Sequence, residues 1–265
     1  MPSARHRLPL QRLARLACLS ALLASGSQAS IAADAGAGIG NIAISVADAT
    51  PGDGNSPWIW IVNNVDWATP SSAVQVAAGL SSPGSTSTAW SGVALSLAAS
   101  GATASANATV GGPALDASAG ATGWAGASAV DGDGAWAISQ VFDGTVLAGA
   151  GTTVQVTATV SGLYAHALGG FAQALVSLQI AGADGSDPAS DQAWIFDSAD
   201  YADSNGEETL SVTWTNISGD AAWADLWIGA SAQAIAAPVP EPGPALLFAA
   251  GLAGLAWRAR RRTAR

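Results

Sequence analysis

The chain contains no Lys, and its nine basic residues are Arg confined to the two extremes. Arg5, Arg7, Arg12 and Arg15 open it; Arg258, Arg260, Arg261, Arg262 and Arg265 close it. Residues 16–257 therefore carry no cation but His, yet they hold all 19 acidic residues. No carboxylate there has a Lys or Arg partner within the stretch. The resulting self-repulsion favours solubility and disfavours nucleic acid or an anionic membrane surface as a partner. Phosphate clamps and Schiff-base amines are excluded along with the cations. Cysteine is limited to Cys18, so the rest of the chain has neither a disulfide nor a thiol nucleophile. Past the first ten residues the one His is His166. A multi-His metal centre is impossible, and Leu163-Tyr-Ala-His-Ala reads as strand or turn. No Gly-x-Ser-x-Gly elbow occurs. The chain reads as non-enzymatic. A two-carboxylate glycan-cleaving enzyme stays open, because that mechanism needs only two suitably spaced acids and the chain has many.

Charge segregation of this kind is a topology pattern: basic residues stay on the cytoplasmic side while the intervening chain crosses. At the N-terminus a positive stretch, 1–15, precedes an apolar run, 16–24, too short to span a bilayer as a mature helix. Ser27-Gln28-Ala29 and Ser30-Ile31-Ala32 then offer cleavage sites, so 1–32 reads as a signal peptide. Arg15 does not suit a lipoprotein box, which leaves Cys18 in the leader. At the other end Val239-Pro240-Glu241-Pro242 leads into an apolar segment, 243–257, and then the Arg258, Arg260, Arg261, Arg262 cluster. As a transmembrane helix this segment measures about 22 Å, short of a ~30 Å hydrocarbon core. It spans only with local thinning or snorkelling Arg side chains, which makes it a weak, temporary anchor with a cytoplasmic basic tail.

The arrangement closely resembles the PEP-CTERM sorting signal of Gram-negative bacteria. Pro240, Glu241 and Pro242 match the motif, 245–257 the short helix and Arg258–Arg262 the basic tail. The resemblance covers 238–265 and is silent on the fold before it. It implies a membrane-embedded exosortase as partner, transient residence in the inner membrane, and delivery to the cell surface or extracellular matrix. Proteins with this signal often accompany exopolysaccharide and biofilm systems, which makes extracellular polysaccharide a further implied partner. An address is implied, not an activity.

Between the ends, 33–237 is long enough for one all-β domain or two small ones. A Gly/Ser/Ala-rich acidic chain invites disorder, but 11 Trp with many Val, Ile and Leu can supply a core. Thr153–Val160 alternates, with Val154, Val156 and Val160 on one face; Glu208–Thr215 does the same with Leu210, Val212 and Trp214. Further strands are expected over 40–46, 58–62, 93–98, 135–142, 171–180 and 226–235, separated by Gly, Asp, Asn, Ser and Pro turns. The pattern predicts a β-sandwich or jelly-roll ectodomain. Residues 81–129 are low-complexity Gly/Ala/Ser/Thr, readable as thin strands or as a long surface loop.

Two side-chain groupings carry ligand chemistry. Calcium takes six to eight oxygens, and acidic Gly-rich loops provide carboxylates and free carbonyls. Asp131–Gly134, Asp184–Asp191 and the Asp-rich run from Asp197 to Glu208 qualify, with Asp184, Asp187 and Asp191 as the candidate calcium ligands. The competing reading is ordinary polar turns. In Trp223-Ala-Asp-Leu-Trp227 a strand puts Trp223, Asp225 and Trp227 on one face and Ala224, Leu226 and Ile228 on the other. With Leu226 and Ile228 inside, two indoles flank a surface carboxylate, a carbohydrate platform; the alternative is an inner face filled with Trp. Trp136 and Trp214 are expected in the core, and Trp58 and Trp60 suit either face. The sequence thus predicts an exported, structural or adhesive protein, with a calcium-dependent or lectin-like carbohydrate-binding module as the alternative.

Overall fold

The computed structural model describes residues 32–62, 72–89, 93–112, 120–198, 202–206, 208–238 and 251–252. Ile31–Pro238 make one compact unit. Its smaller sheet runs, in spatial order, β13 (Thr209–Thr215), β9 (Thr152–Ala167), β1 (Ala32–Asp48), β7 (Ala121–Val130), β6 (Ala104–Gly111) and β5 (Leu95–Ser100). The larger runs β12 (Ala202–Asn205), β11 (Ala189–Ser198), β10 (Gly170–Gly182), β14 (Ala222–Ala236), β8 (Gly134–Ala148), β3 (Ser72–Ala78) and β4 (Ser85–Ala89). A short β2 (Ile59–Val62) pairs with the end of β8. The ladders are antiparallel, and the sheets face each other with β1 and β7 against β14 and β6 and β7 against β8. The fold is all-β, a two-sheet sandwich. Met1–Ser30 and Val239–Arg265 form a separate unit, of which 251–252 are described and helical. The expected leader and membrane helix otherwise lie outside the described residues, apart from Ala32, which begins β1. Among the described residues no helix is long and apolar enough to cross a membrane.

The core is built mainly of alanine. More than half of the buried apolar residues are Ala, among them Ala33, Ala35 and Ala37 in β1 and Ala230, Ala232 and Ala234 in β14. A buried methyl contributes roughly 0.8 kcal/mol, against ~1.5–3 kcal/mol for Val, Leu, Ile or Phe. Strand length compensates: β1 has 17 residues, β9 has 16 and β8 and β14 have 15 each, where ~5–6 is usual. At Gly123 even a methyl does not fit, since a Cβ there would stand 2.5 Å from Val141 Cγ2 and 2.6 Å from Ser139 Oγ.

Thin cores change which residues face outward. Trp214 is buried with Leu210 and Val212. Trp136, expected inside, lies on the outer face of β8, because Ala135, Ala137 and Ser139 take the inward positions. Its indole covers Gly84, where a Cβ would come within 2.9 Å of the ring. The described part of 81–129 is mostly strand: β4 to β7 fall there, with β7 between β1 and β6 and with Ala121, Ala125, Ala127 and Ala129 buried, while 90–92 and 113–119 lie outside the described residues.

The ends of the unit leave it together. Ala32 pairs with Val130, and Ala236 N donates to Asp133 O across the intervening turn. In that turn Asp131 (φ 56°) and Gly132 (φ 83°) are both left-handed, the type I′ conformation that Asp-Gly favours.

Candidate functional site

Where β2, β8 and β14 run side by side, directly opposed residues share a face. The registers align Trp60 with Leu147 and Trp223; Val62 with Thr145, Asp225 and Ala181; and Asp143 with Trp227 and Gln179. Leu226 and Ile228 are buried on the inner face of β14, so Trp223, Asp225 and Trp227 point outward. Trp60 and Trp223 are 56% and 40% exposed. Trp227 is half-buried, its indole lying over Gly229, where a Cβ would come within 2.8 Å of the ring. At ~3.3 Å per residue, Trp223 and Trp227 stand about 13 Å apart along β14, and two strand spacings separate Trp60 from Trp223 by about 10 Å.

The polar members are all acidic or neutral. Burial, and then the neighbouring Asp225 charge, hold the Asp143 carboxyl above its ordinary value. Gln140 Nε2 approaches Asp143 at 3.4 Å. Between the two acids Thr145 is 8% exposed, and its Oγ1 is buried without a hydrogen-bond partner. Trp60, Asp143 and Thr145 escape sequence reasoning for a tertiary reason. Nothing near Trp60 encodes its pairing with β8, and a register shift facing Ile228/Gly229 of β14 sets which face Asp143 and Thr145 take.

Trp223 also borders a cleft of about 630 Å³ at the end of the sandwich, with Asp184, Ser186, Asp187, Trp214 and Asn216 among its lining residues. The proposed calcium ligands Asp184, Asp187 and Asp191 do not converge. Asp184 Oδ1 accepts Ser186 N at 2.9 Å, and hydrogen bonds from the Ser186 side chain and backbone hold its carboxyl below the ordinary value. Asp187 is a left-handed turn residue (φ 49°). On β11, Asp191 accepts Ser211 N at 2.7 Å and Gln192 N at 3.0 Å. Asp133, in the Asp131–Gly134 stretch, is likewise occupied, accepting Thr103 Oγ1 at 2.6 Å and both Leu80 N and Gly134 N at 2.9 Å. In the third stretch 199–201 and 207 lie outside the described residues. Among the described residues no three His, Cys, Asp or Glu are grouped to hold a metal ion. His166, exposed on β9, has its Nδ1 3.7 Å from Asp197 Oδ2.

A β-sandwich without Lys or Arg and with an aromatic outer face thus precedes the terminal segment. Residues 238–262 of that segment match the family model of the PEP-CTERM protein-sorting motif, which contains Pro240, Glu241, Pro242 and the Arg258, Arg260, Arg261, Arg262 cluster. A tail of this kind marks an exported protein that passes through a membrane-anchored sorting intermediate and is processed by a membrane exosortase. No curated protein and no solved structure matches the chain.

Proposed function

We propose that the protein acts at the cell surface or in the extracellular matrix as a non-catalytic structural or adhesive component of the polysaccharide layer. The observation that carries this reading is the sorting motif at 238–262. Placement of the ends supports it: Ala32 and Ala236 leave the sandwich beside one turn, whereas Trp223 and the large cleft lie at the other end of β14, roughly 40 Å of strand away. Cell fractionation with mass spectrometry of the mature C-terminus tests the reading. The surface or matrix form is expected to lack the Arg cluster, and cells without the protein to lose matrix cohesion under shear. A surface form still ending at Arg265, or unchanged cohesion, would refute it.

A second reading, a lectin-like carbohydrate-binding module, is favoured by the outward placement of Trp223, Asp225 and Trp227 over a core that holds Leu226 and Ile228. Planar indoles beside hydrogen-bond acceptors suit sugar rings, which present apolar C–H faces and hydroxyl rims. Glycan cleavage is the weaker version of this reading, since an open sheet face offers no enclosing walls to orient a glycosidic bond between two carboxylates.

A further inference from the structure

Resting on the carbohydrate-binding reading, we infer that the outer face of the larger sheet, where β2, β8 and β14 meet, is a receptor for a neutral polysaccharide chain. Trp60, Trp223 and Trp227 stack on its rings, and Asp143 and Asp225 accept its hydroxyls. The face reaches beyond the single-strand Trp223–Asp225–Trp227 group because β8 places Leu147 between Trp60 and Trp223, and Asp143 directly opposite Trp227.

Three observations identify the occupant. First, exposed aromatics alternate with acceptors: the Trp60–Leu147–Trp223 row is followed by the row of Thr145 and Asp225, then by Asp143, Trp227 and Gln179. A purely apolar partner would leave those acceptors unpaired. Sugar hydroxyls pair them while the ring faces cover the indoles. Second, the middle row sets Asp225 directly opposite Thr145, two residues from Asp143, so two acids stand together on the patch with no Lys or Arg in 16–257 to pair them. Third, charge selects among partners. Residues 16–257 contain no Lys or Arg, so a uronate or sulfate polymer meets only carboxylates. A second copy of the chain would bring Asp143 and Asp225 against the same acids, desolvated and without counter-charge. A neutral glycan incurs neither cost.

Native affinity electrophoresis of the full chain in mild detergent tests this, in gels cast with soluble β-glucan, galactomannan or dextran and, separately, with alginate or polygalacturonate. Retardation is expected in at least one neutral gel and, once the nine terminal Arg are replaced by Gln, in neither anionic gel. The apparent dissociation constant should rise at least tenfold in Trp60→Ala and in Trp223→Ala. Trp60 is more than half exposed, so its variant should melt within a few degrees of the native protein; Asp225→Ala, which removes an acceptor and no core atom, provides a second variant. Binding lost in Trp223→Ala but intact in Trp60→Ala would keep the Trp223–Asp225–Trp227 platform and overturn the wider face. Binding only to the anionic gels that persists after the Arg→Gln replacements would keep sugar binding and overturn the neutral class. No retardation in any gel overturns both, as does protein-concentration-dependent dimerisation that Trp60→Ala abolishes.

Discussion

Asn216 provides the sharpest quantitative test of how the far end of the sandwich is held. The residue is 2% exposed and lies just past β13. Its Nδ2 donates toward Ala148 O at 3.0 Å, Gly149 O at 2.9 Å and Asp220 O at 2.8 Å, while Oδ1 accepts Ser218 N at 3.0 Å and Ser218 Oγ at 2.6 Å. One amide thereby ties the β8–β9 connection to the β13–β14 connection, under the cleft that Trp223 borders. Only one amide orientation satisfies these partners, because the other would point an oxygen at three carbonyls. In Asn216→Ala the Ala148 carbonyl loses a buried donor, at ~1–3 kcal/mol, Gly149 O keeps only Thr152 N at 3.2 Å and loses roughly 1 kcal/mol, and water reaches Asp220 O and Ser218. The sum is about 3 kcal/mol. For a unit of this size that lowers the melting temperature by about 6–12 °C. Asn216→Asp should cost at least as much at neutral pH, since it aims a carboxylate oxygen at the same carbonyls. Its folded-state pKa must then lie above the unfolded value, so the charge-dependent part of the loss is absent below the unfolded pKa and grows as pH rises through the folded one, while the protonated acid, with one O–H, still lacks a donor. Urea unfolding of both variants at pH 7 and pH 3.5 measures this, with an unchanged m-value expected. A native-like midpoint for Asn216→Asp at pH 7, or a loss below about 0.5 kcal/mol in Asn216→Ala, the range of neutral surface substitutions, would refute the argument.

Four further outcomes follow from the same packing and charge. Gly123→Val drives side-chain atoms into Val141 and Ser139, and is expected to cost at least ~1–3 kcal/mol in chemical denaturation. The Asp133 carboxyl is held below its ordinary value of 3.8 by hydrogen bonds from the Thr103 hydroxyl, then from Leu80 N and Gly134 N. Its stabilisation is therefore present above the unfolded pKa and lost as pH falls through the folded one, so the Tm gap between the native protein and Asp133→Asn should close between pH 7 and pH 2.5. Asp143 has the opposite sign: Asp143→Asn should raise Tm at pH 7, with the gain vanishing well below pH 3.8, and a lower Tm at pH 7 would contradict the unfavourable Asp225 pairing. Because residues 16–257 have no Lys or Arg, screening should chiefly relieve repulsion, and Tm is expected to rise between 10 and 150 mM NaCl, flanking the ~10 Å Debye length reached at 0.1 M.

How much of this was legible in the sequence depended on side-chain size. Val154, Val156, Leu210, Val212 and Trp214 announced β9 and β13 because large apolar residues alternate with Thr, Ser and Gln. Ala104, Ala106 and Ala108 alternate just as strictly in β6, yet Ala differs too little from Ser, Asn and Thr to register as a stripe, so 81–129 offered no face. The same weakness misassigned Trp136. Its neighbours Ala135 and Ala137 occupy the core, and the larger residues stand outside. For Trp223, Asp225 and Trp227, Leu226 and Ile228 fixed the parity locally. Trp60, Asp143 and Thr145 joined that group only through the β2–β8–β14 registers, which no short segment encodes.

The outward Trp residues are not energetically neutral, and that bears on what the face is for. An indole buries ~150–250 Å² when enclosed. At 56% and 40% exposure, Trp60 and Trp223 each leave on the order of 100 Å² in water, about 2–3 kcal/mol of unused burial apiece at ~25 cal/mol/Å². Against a net stability of ~5–15 kcal/mol for a domain, two such residues on one row are a substantial concession. Leu147 between them makes the row continuous, and the adjacent Asp143–Asp225 pair adds repulsion where a neutral residue would add none. The sandwich does not need these side chains for its core, which Ala, Val, Ile, Leu and Phe142 already close. A partner that covers the indoles and donates hydroxyls to the acids would recover part of both terms together.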